Sequence, residues 1–171
     1  DLLTGALLLE ATVSAGLPPS RIVLEITERS IVELDEIIQK VKLLRLMGFQ
    51  FALDDAGAGN AGLEMLSQLS VDFVKVDRAV VNRANTDQAA YSVLVGITAI
   101  ARESHISVIA EGIENRQILA LVQQLKVQYG QGYLLGRPSE TTPDVNALQD
   151  RIALLHMGSP ETSAYAEKGS N

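Results

Sequence analysis

Four apolar runs in this chain each close on a carboxylate: Ile22-Val23-Leu24-Glu25, Phe51-Ala52-Leu53-Asp54-Asp55, Val71-Asp72-Phe73-Val74-Lys75-Val76-Asp77 and Ile106-Ser107-Val108-Ile109-Ala110-Glu111. The last continues as Gly112-Ile113-Glu114. Acids repeated at the same end of successive strands describe a rim of oxygen donors, the donor type that suits Mg2+ or Mn2+. Asp54-Asp55 is the sharpest pair, because adjacent like charges raise each other's energy unless a cation neutralises them. The competing reading has Asp55 capping the next turn and Asp54 facing solvent. Lys75 and Asp77 lie two apart on one strand and so face one side. In a parallel sheet buried on both faces, a strand lysine is costly unless it is paired or functional. Glu28 reads either as a site residue or as the start of the following turn, and Glu111 and Glu114 singly read as loop surface. Thr27, Asn60 and Gln131 add neutral donors and acceptors.

A second motif competes for the same place. Gly57-Ala58-Gly59-Asn60-Ala61-Gly62 fits the dinucleotide-binding G-x-G-x-x-G, follows a strand, and has Asp77 at the end of the next one. Against an NAD-binding oxidoreductase stands charge: a cofactor pyrophosphate would meet Asp54 and Asp55. A phosphate arriving with divalent cations would not meet that penalty. The two histidines, His105 and His156, form no nucleophile–base pair with a serine at plausible spacing.

These residues need elements to hold them. The spacing predicts helices over 2–15, 36–47, 63–69, 87–103, 116–125 and 144–156, with strands over 21–27, 50–54, 73–77, 105–110 and 128–134. Val93, Leu94, Ile97, Ile100 and Ala101 are expected on the buried side of the 87–103 helix, and Asn115 caps the next one. Strand and helix alternate and the strands lack period-two polarity, so the fold class is α/β with a parallel sheet covered by helices. An open doubly wound sheet and a closed barrel both satisfy that pattern. With 171 residues and 47% hydrophobic content, one domain is expected.

The net charge of −7 argues against a sequence-independent grip on a nucleic-acid polymer. No cysteine is present, so any metal must be held by oxygen. The longest apolar stretch, 93–101, is far shorter than the roughly 20 residues of a membrane span. No membrane segment is expected, and the expected location is cytoplasmic.

Together, Leu24-Glu25-Ile26-Thr27-Glu28, Leu53-Asp54-Asp55-Ala56-Gly57-Ala58-Gly59, Val74-Lys75-Val76-Asp77, Ile109-Ala110-Glu111-Gly112-Ile113-Glu114 and Gln131-Gly132-Tyr133-Leu134-Leu135-Gly136-Arg137-Pro138 resemble the EAL domain of bacterial cyclic di-GMP phosphodiesterases. The likeness covers about residues 2–138. It implies a TIM-barrel-like (β/α) fold, about five of whose eight strands are present, and hydrolysis of cyclic di-GMP to linear pGpG with two Mg2+ or Mn2+ ions. By motif, Glu25 and Asp54 would bind the first ion, with Asp54 bridging to a second that Asp55 and Glu111 also hold. Lys75 would contact the attacking water, with Asp77, Glu114 and Gln131 supporting it. Glu28 would anchor the loop after Asp54, which in this family couples dimerisation and substrate binding to metal occupancy. Asn60, Gly132, Arg137 and Pro138 join the substrate surroundings, and the partners implied are cyclic di-GMP and a second copy of the chain.

Two departures shape the expectations. The family's Glu-Ala-Leu strand and following Asn strand lie upstream of Asp1, so residues 1–140 form an EAL-type domain incomplete at its N-terminus. Residues 141–157 add a helical region and 158–171 a disordered tail. Five strands cannot close an eight-stranded barrel, so the 171-residue chain is expected to be inactive or very weak while its parent is active. The open edge is expected to drive aggregation, strand swapping or dimerisation. The loop after Asp55 carries Ala56, Asn60, Ala61 and Gly62 where the family usually has aromatics and hydroxyls, which keeps a non-catalytic cyclic di-GMP-binding module as an alternative. An enolase-like Mg2+ barrel is a weaker one.

Overall fold

A computed structural model describes residues 2–27, 34–59, 62–141, 144 and 146. Glu28 and Asn60 lie outside the described residues, as do the expected 158–171 tail and nearly all of the expected 144–156 helix.

Helix α1 (Leu2–Ser14) stops before Gly16 and Pro18, and a single 3-10 turn at Pro19–Arg21 leads into β1 (Val23–Thr27). Then follow α2 (Leu34–Leu46), β2 (Gln50–Ala56), α3 (Gly62–Gln68), β3 (Phe73–Val76), α4 (Arg78–Arg83), α5 (Gln88–Glu103), β4 (Ser107–Ala110), α6 (Arg116–Gln124) and β5 (Tyr129–Gly130). Asn115 caps α6 as expected, its Oδ1 accepting from Ile118 N at 2.9 Å. The six-residue α4 was not foreseen. β5 is two residues long, against an expected seven. Beyond Gly130 the chain leaves the ladder: Gln131 N still donates to Ala110 O at 2.9 Å, but Gln131 O then accepts from Ile113 N at 3.0 Å, in the loop past β4.

The five strands are parallel and lie in chain order, β1-β2-β3-β4-β5. A doubly wound sheet reverses strand order at a switch point. This one does not, and consecutive βα units of a TIM-like barrel follow the same order. Side-chain alternation sends Leu53, Val74, Val76, Val108 and Ala110 into the helix-covered core, where all are buried. Helix α3 packs on β2, and α5 on β3 and β4. The opposite face is more open: Val23 is exposed, Phe73 half-buried, and Tyr129 55% exposed with its ring edge-on to Phe73 at 6.0 Å. Among the described residues this second face is thus covered at the central strands, where Ala52 and Lys75 are buried, and open at the outer strands β1 and β5. On α5 the buried stripe is Ala90, Leu94, Ile97 and Ala101. Val93 and Ile100, expected inside, are 41% and 38% exposed because each sits about 100° around the helix from its buried neighbour.

Candidate active site

Asp54, Asp55 and Glu111 gather toward the carboxyl ends of β2 and β4 while Glu25 stands mid-strand on β1, and a backbone irregularity brings the adjacent pair together. Leu53 pairs with Val74 and Ala56 with Val76, so three steps on β2 face two on β3. This is a bulge, with Asp55 at φ 58°. In a regular strand Asp54 and Asp55 would point to opposite faces. Here carboxylate oxygens of Asp54, Asp55 and Glu111 all lie within 4.8 Å of one another. The solvent-facing alternative for Asp54 does not hold, since that residue is largely buried.

Lys75, on the strand between β2 and β4, is 9% exposed and joins the cluster. Its Nζ lies 2.8 Å from Asp54 Oδ1, 3.0 Å from Glu25 Oε1 and 3.0 Å from Glu111 Oε1. Burial alone would lower the lysine's pKa, but the contacts with Asp54, Glu25 and Glu111 outweigh it and hold the pKa above the ordinary lysine range. Asp54 Oδ1 is buried and receives no aligned hydrogen bond from the described residues. Its contact with Lys75 is thus one of charge rather than of a well-directed hydrogen bond. Thr27 pairs with Asp54 in the β1–β2 register and so belongs to the same rim.

Glu111 is held from the other side by Gln131, whose Nε2 donates to Oε1 at 2.7 Å. The loop that presents it turns at Gly112, where φ is 68° and a Cβ would fall 2.0 Å from Arg78 Cγ. Only glycine lets Arg78 cross there. Asn82 Nδ2 fixes the same turn by donating to Gly112 O at 3.1 Å. Arg78 reaches Glu114 at 3.5 Å. Around this loop a cavity of about 490 Å³ is lined by residues that include Arg78, Glu111, Glu114, Gln131, Arg137 and Pro138. The Arg137 guanidinium stacks over the Tyr133 ring at 4.5 Å.

Asp77 departs from expectation. It lies one residue past β3 and caps α4, its Oδ1 accepting from Ala79 N at 2.7 Å. It forms no ion pair with Lys75; that lysine's carboxylate partners among the described residues are Glu25, Asp54 and Glu111. Gly132 also has a packing reason: a Cβ there would sit 2.3 Å from Ile113 N and O. Residues missed from sequence were Arg78, Asn82 and Tyr133. Tyr133 sat inside a quoted motif, whereas Arg78 and Asn82 gave no signal until α4 placed them one turn apart over Gly112.

The all-oxygen set fits a hard divalent cation. Three carboxylates converge, one buried oxygen has no aligned donor, and Asp54 and Glu111 come from different strand ends.

Comparison with known proteins agrees with this arrangement. The family described as EAL domain matches residues 5–138. A probable cyclic di-GMP phosphodiesterase, PdeG of Escherichia coli, is 37% identical over 118 residues, which is 68% of this chain and 23% of that protein. The cyclic di-GMP phosphodiesterase PdeA of Borreliella burgdorferi is 34% identical over 130 residues, 75% of this chain and 19% of its own. The chain thus spans about a fifth of these relatives' length. Among solved structures, a manganese and cyclic di-GMP complex of BlrP1 from Klebsiella pneumoniae superposes with a TM-score of 0.74 at 29% identity, covering 78% of this chain and 34% of that one. A cyclic di-GMP-bound standalone EAL protein from Vibrio cholerae superposes with a TM-score of 0.73 at 30% identity, covering 81% and 60%. With strand order, rim acids and these likenesses in agreement, the chain belongs to the EAL domain family, whose named relatives are cyclic di-GMP phosphodiesterases.

Proposed function

We propose that the domain to which this chain belongs hydrolyses cyclic di-GMP to linear pGpG with two Mg2+ or Mn2+ ions. The observation that carries the reading is the convergence of Glu25, Asp54, Asp55 and Glu111 with Lys75 across β1 to β4. Asp54, Asp55, Glu111 and Glu25 would hold the ions. When bound, such cations polarise a phosphodiester and neutralise the charge that develops during in-line displacement. The chain's own groups divide the remaining work. Lys75 offers an ammonium at the rim to orient the incoming water. Gln131 keeps Glu111 aimed into the cluster. Arg78 and Arg137 bring positive charge to a cavity of about 490 Å³, within the size range of small-molecule sites, where a guanine nucleotide can meet a stacked guanidinium. The acidic chain can take an anionic substrate because the ions reverse the local sign.

We further read the domain as a cytoplasmic homodimer. Exposed Val93 and Ile100 on α5 support an apolar contact, and no described helix is long and apolar enough to cross a membrane. The alternative, a cyclic di-GMP-binding module without turnover, is favoured by one feature. Small residues Ala56, Gly57, Gly59 and Gly62, which follow Asp55 in the chain, line a cavity of about 390 Å³.

A hydrolysis assay with Mn2+, on the 171-residue chain and on a form extended upstream, tests the proposal. Turnover by the extended form with little from the chain alone is expected. Binding of cyclic di-GMP by the extended form with no cleavage would install the alternative.

A further inference from the structure

One ammonium stands among the carboxylates of this cluster and is in ion-pair contact with three of them. Lys75 Nζ carries three hydrogens and contacts three carboxylates, Glu25, Asp54 and Glu111, at 2.8–3.0 Å. Those acids come from β1, β2 and the residue after β4, while the lysine stands on β3 between them. The ammonium therefore acts as an internal clasp across the sheet. It offsets repulsion that would otherwise push the acids apart, and it avoids the cost of a buried lysine left unpaired.

Asp54 and Glu111 belong to two sets at once. They contact Lys75, and they share with Asp55 the oxygens gathered within 4.8 Å. We propose that Lys75 is a built-in competitor of the divalent cation: it keeps the ligand acids assembled, and an ion claims them only as the ammonium gives up Asp54 and Glu111. This rests on the proposed function to the extent that a divalent ion binds at these acids. It adds that metal affinity is set below what the carboxylates alone would reach, and that metal entry and release of Lys75 are one event. The released ammonium then stands at the rim with free donors, so the group that guards the acids is freed for substrate when they are loaded. Linkage makes the effect reciprocal.

Replacing Lys75 by methionine, of similar length and no charge, separates the possibilities. Calorimetric Mn2+ titration of the full chain is expected to show Lys75→Met binding about tenfold tighter than wild type, a typical coupling between two ligands of one site. Its melting temperature without metal should be lower, and the rise on adding Mn2+ larger. Equal or weaker Mn2+ binding by Lys75→Met overturns the competitor role while leaving the metal site standing. Absence of Mn2+ binding by both proteins removes the metal site and this inference with it. Should Lys75→Met not fold, the wild type still decides. The Lys75 side-chain ammonium should exchange hydrogen with water slowly without Mg2+ and about tenfold faster at saturating Mg2+, the same coupling read from the lysine. An exchange rate that does not change overturns the inference.

Discussion

Gln131 and Glu111 are joined across the ends of β5 and β4 by a 2.7 Å hydrogen bond, from Nε2 of the amide to Oε1 of the acid. The same oxygen lies 3.0 Å from Lys75 Nζ. One carboxylate oxygen is thus fixed from two directions, which leaves the other free for a ligand. Outer partners of metal-binding acids commonly change affinity by about 10–100-fold when removed. Gln131→Ala is therefore expected to weaken Mn2+ binding about tenfold, with thermal stability nearly unchanged because Gln131 is exposed. Calorimetric titration checks this, and unaltered affinity would mean the amide does not orient Glu111.

Asp55 carries two separable properties, a carboxylate and a left-handed backbone at φ 58°. Asparagine tolerates that conformation better than most residues, and alanine does not. Asp55→Asn should keep stability near wild type while losing most Mn2+ affinity. Asp55→Ala should lose the affinity and about 1 kcal/mol of stability besides. Urea unfolding of the two variants separates the contributions. Equal stability of both would show that the bulge relaxes without cost.

Gly132 sits where a side chain has no room, since a Cβ would lie 2.3 Å from Ile113 N and O. Both atoms belong to backbone already hydrogen-bonded to the segment that follows β5. Gly132→Ala is expected to cost about 2–3 kcal/mol through forced overpacking, and to move Gln131 away from Glu111. Loss of stability together with Mn2+ affinity is the signature. Loss of affinity alone would assign Gly132 to ligand contact rather than packing.

Two groups predict opposite pH limbs. Lys75 has its pKa raised in the folded protein, so its stabilisation is fully present below the ordinary lysine value of 10.5 and is lost as pH rises through the folded value. Between pH 6 and 9 it should therefore add no slope. Asp87 is lowered from 3.8 by Arg83 first, then by the Ala89 and Ala90 amides it caps. Its contribution is present above 3.8 and lost as pH falls through the lower folded value. Asp87→Asn keeps a capping oxygen but not the charge, so its deficit in melting temperature should disappear in acid. A deficit that persists at the lowest pH would assign it to cap geometry.

The strand-end acids and Lys75 were legible because apolar runs ending in charge depend only on local sequence. The bulge that brings Asp55 beside Asp54 was not, because it is defined by register against β3. Asp77 shows the same limit: two residues past Lys75 predicts a shared face only while the strand continues, and the chain turns into α4 first. The strand expected over 128–134 likewise ran too long, since past Gly130 only Gln131 N still bonds to β4 while Gln131 O turns to Ile113 N in the loop. Sheet order, the feature that separates barrel from doubly wound arrangement, was left open by alternation alone.

Gly96 offers a test of the small-residue cavity lined by the loop that follows Asp55. It lies within the 16-residue helix α5, lines the 390 Å³ space with Val93, Ile97 and the loop glycines, and a Cβ there would meet nothing within 4 Å. Glycine inside a helix costs about 0.5–1 kcal/mol relative to alanine, chiefly through the freedom it keeps when unfolded. Gly96→Ala should therefore stabilise the chain by about 1 kcal/mol, raising its melting temperature by roughly 2–4 °C for a domain of this size. The added methyl occupies a small part of the cavity and touches no acid. Mn2+ affinity should stay constant while stability rises. A fall in affinity instead would show that the space between α5 and the loop is used for movement of Asp55, and would tie the variant glycine run directly to the metal site.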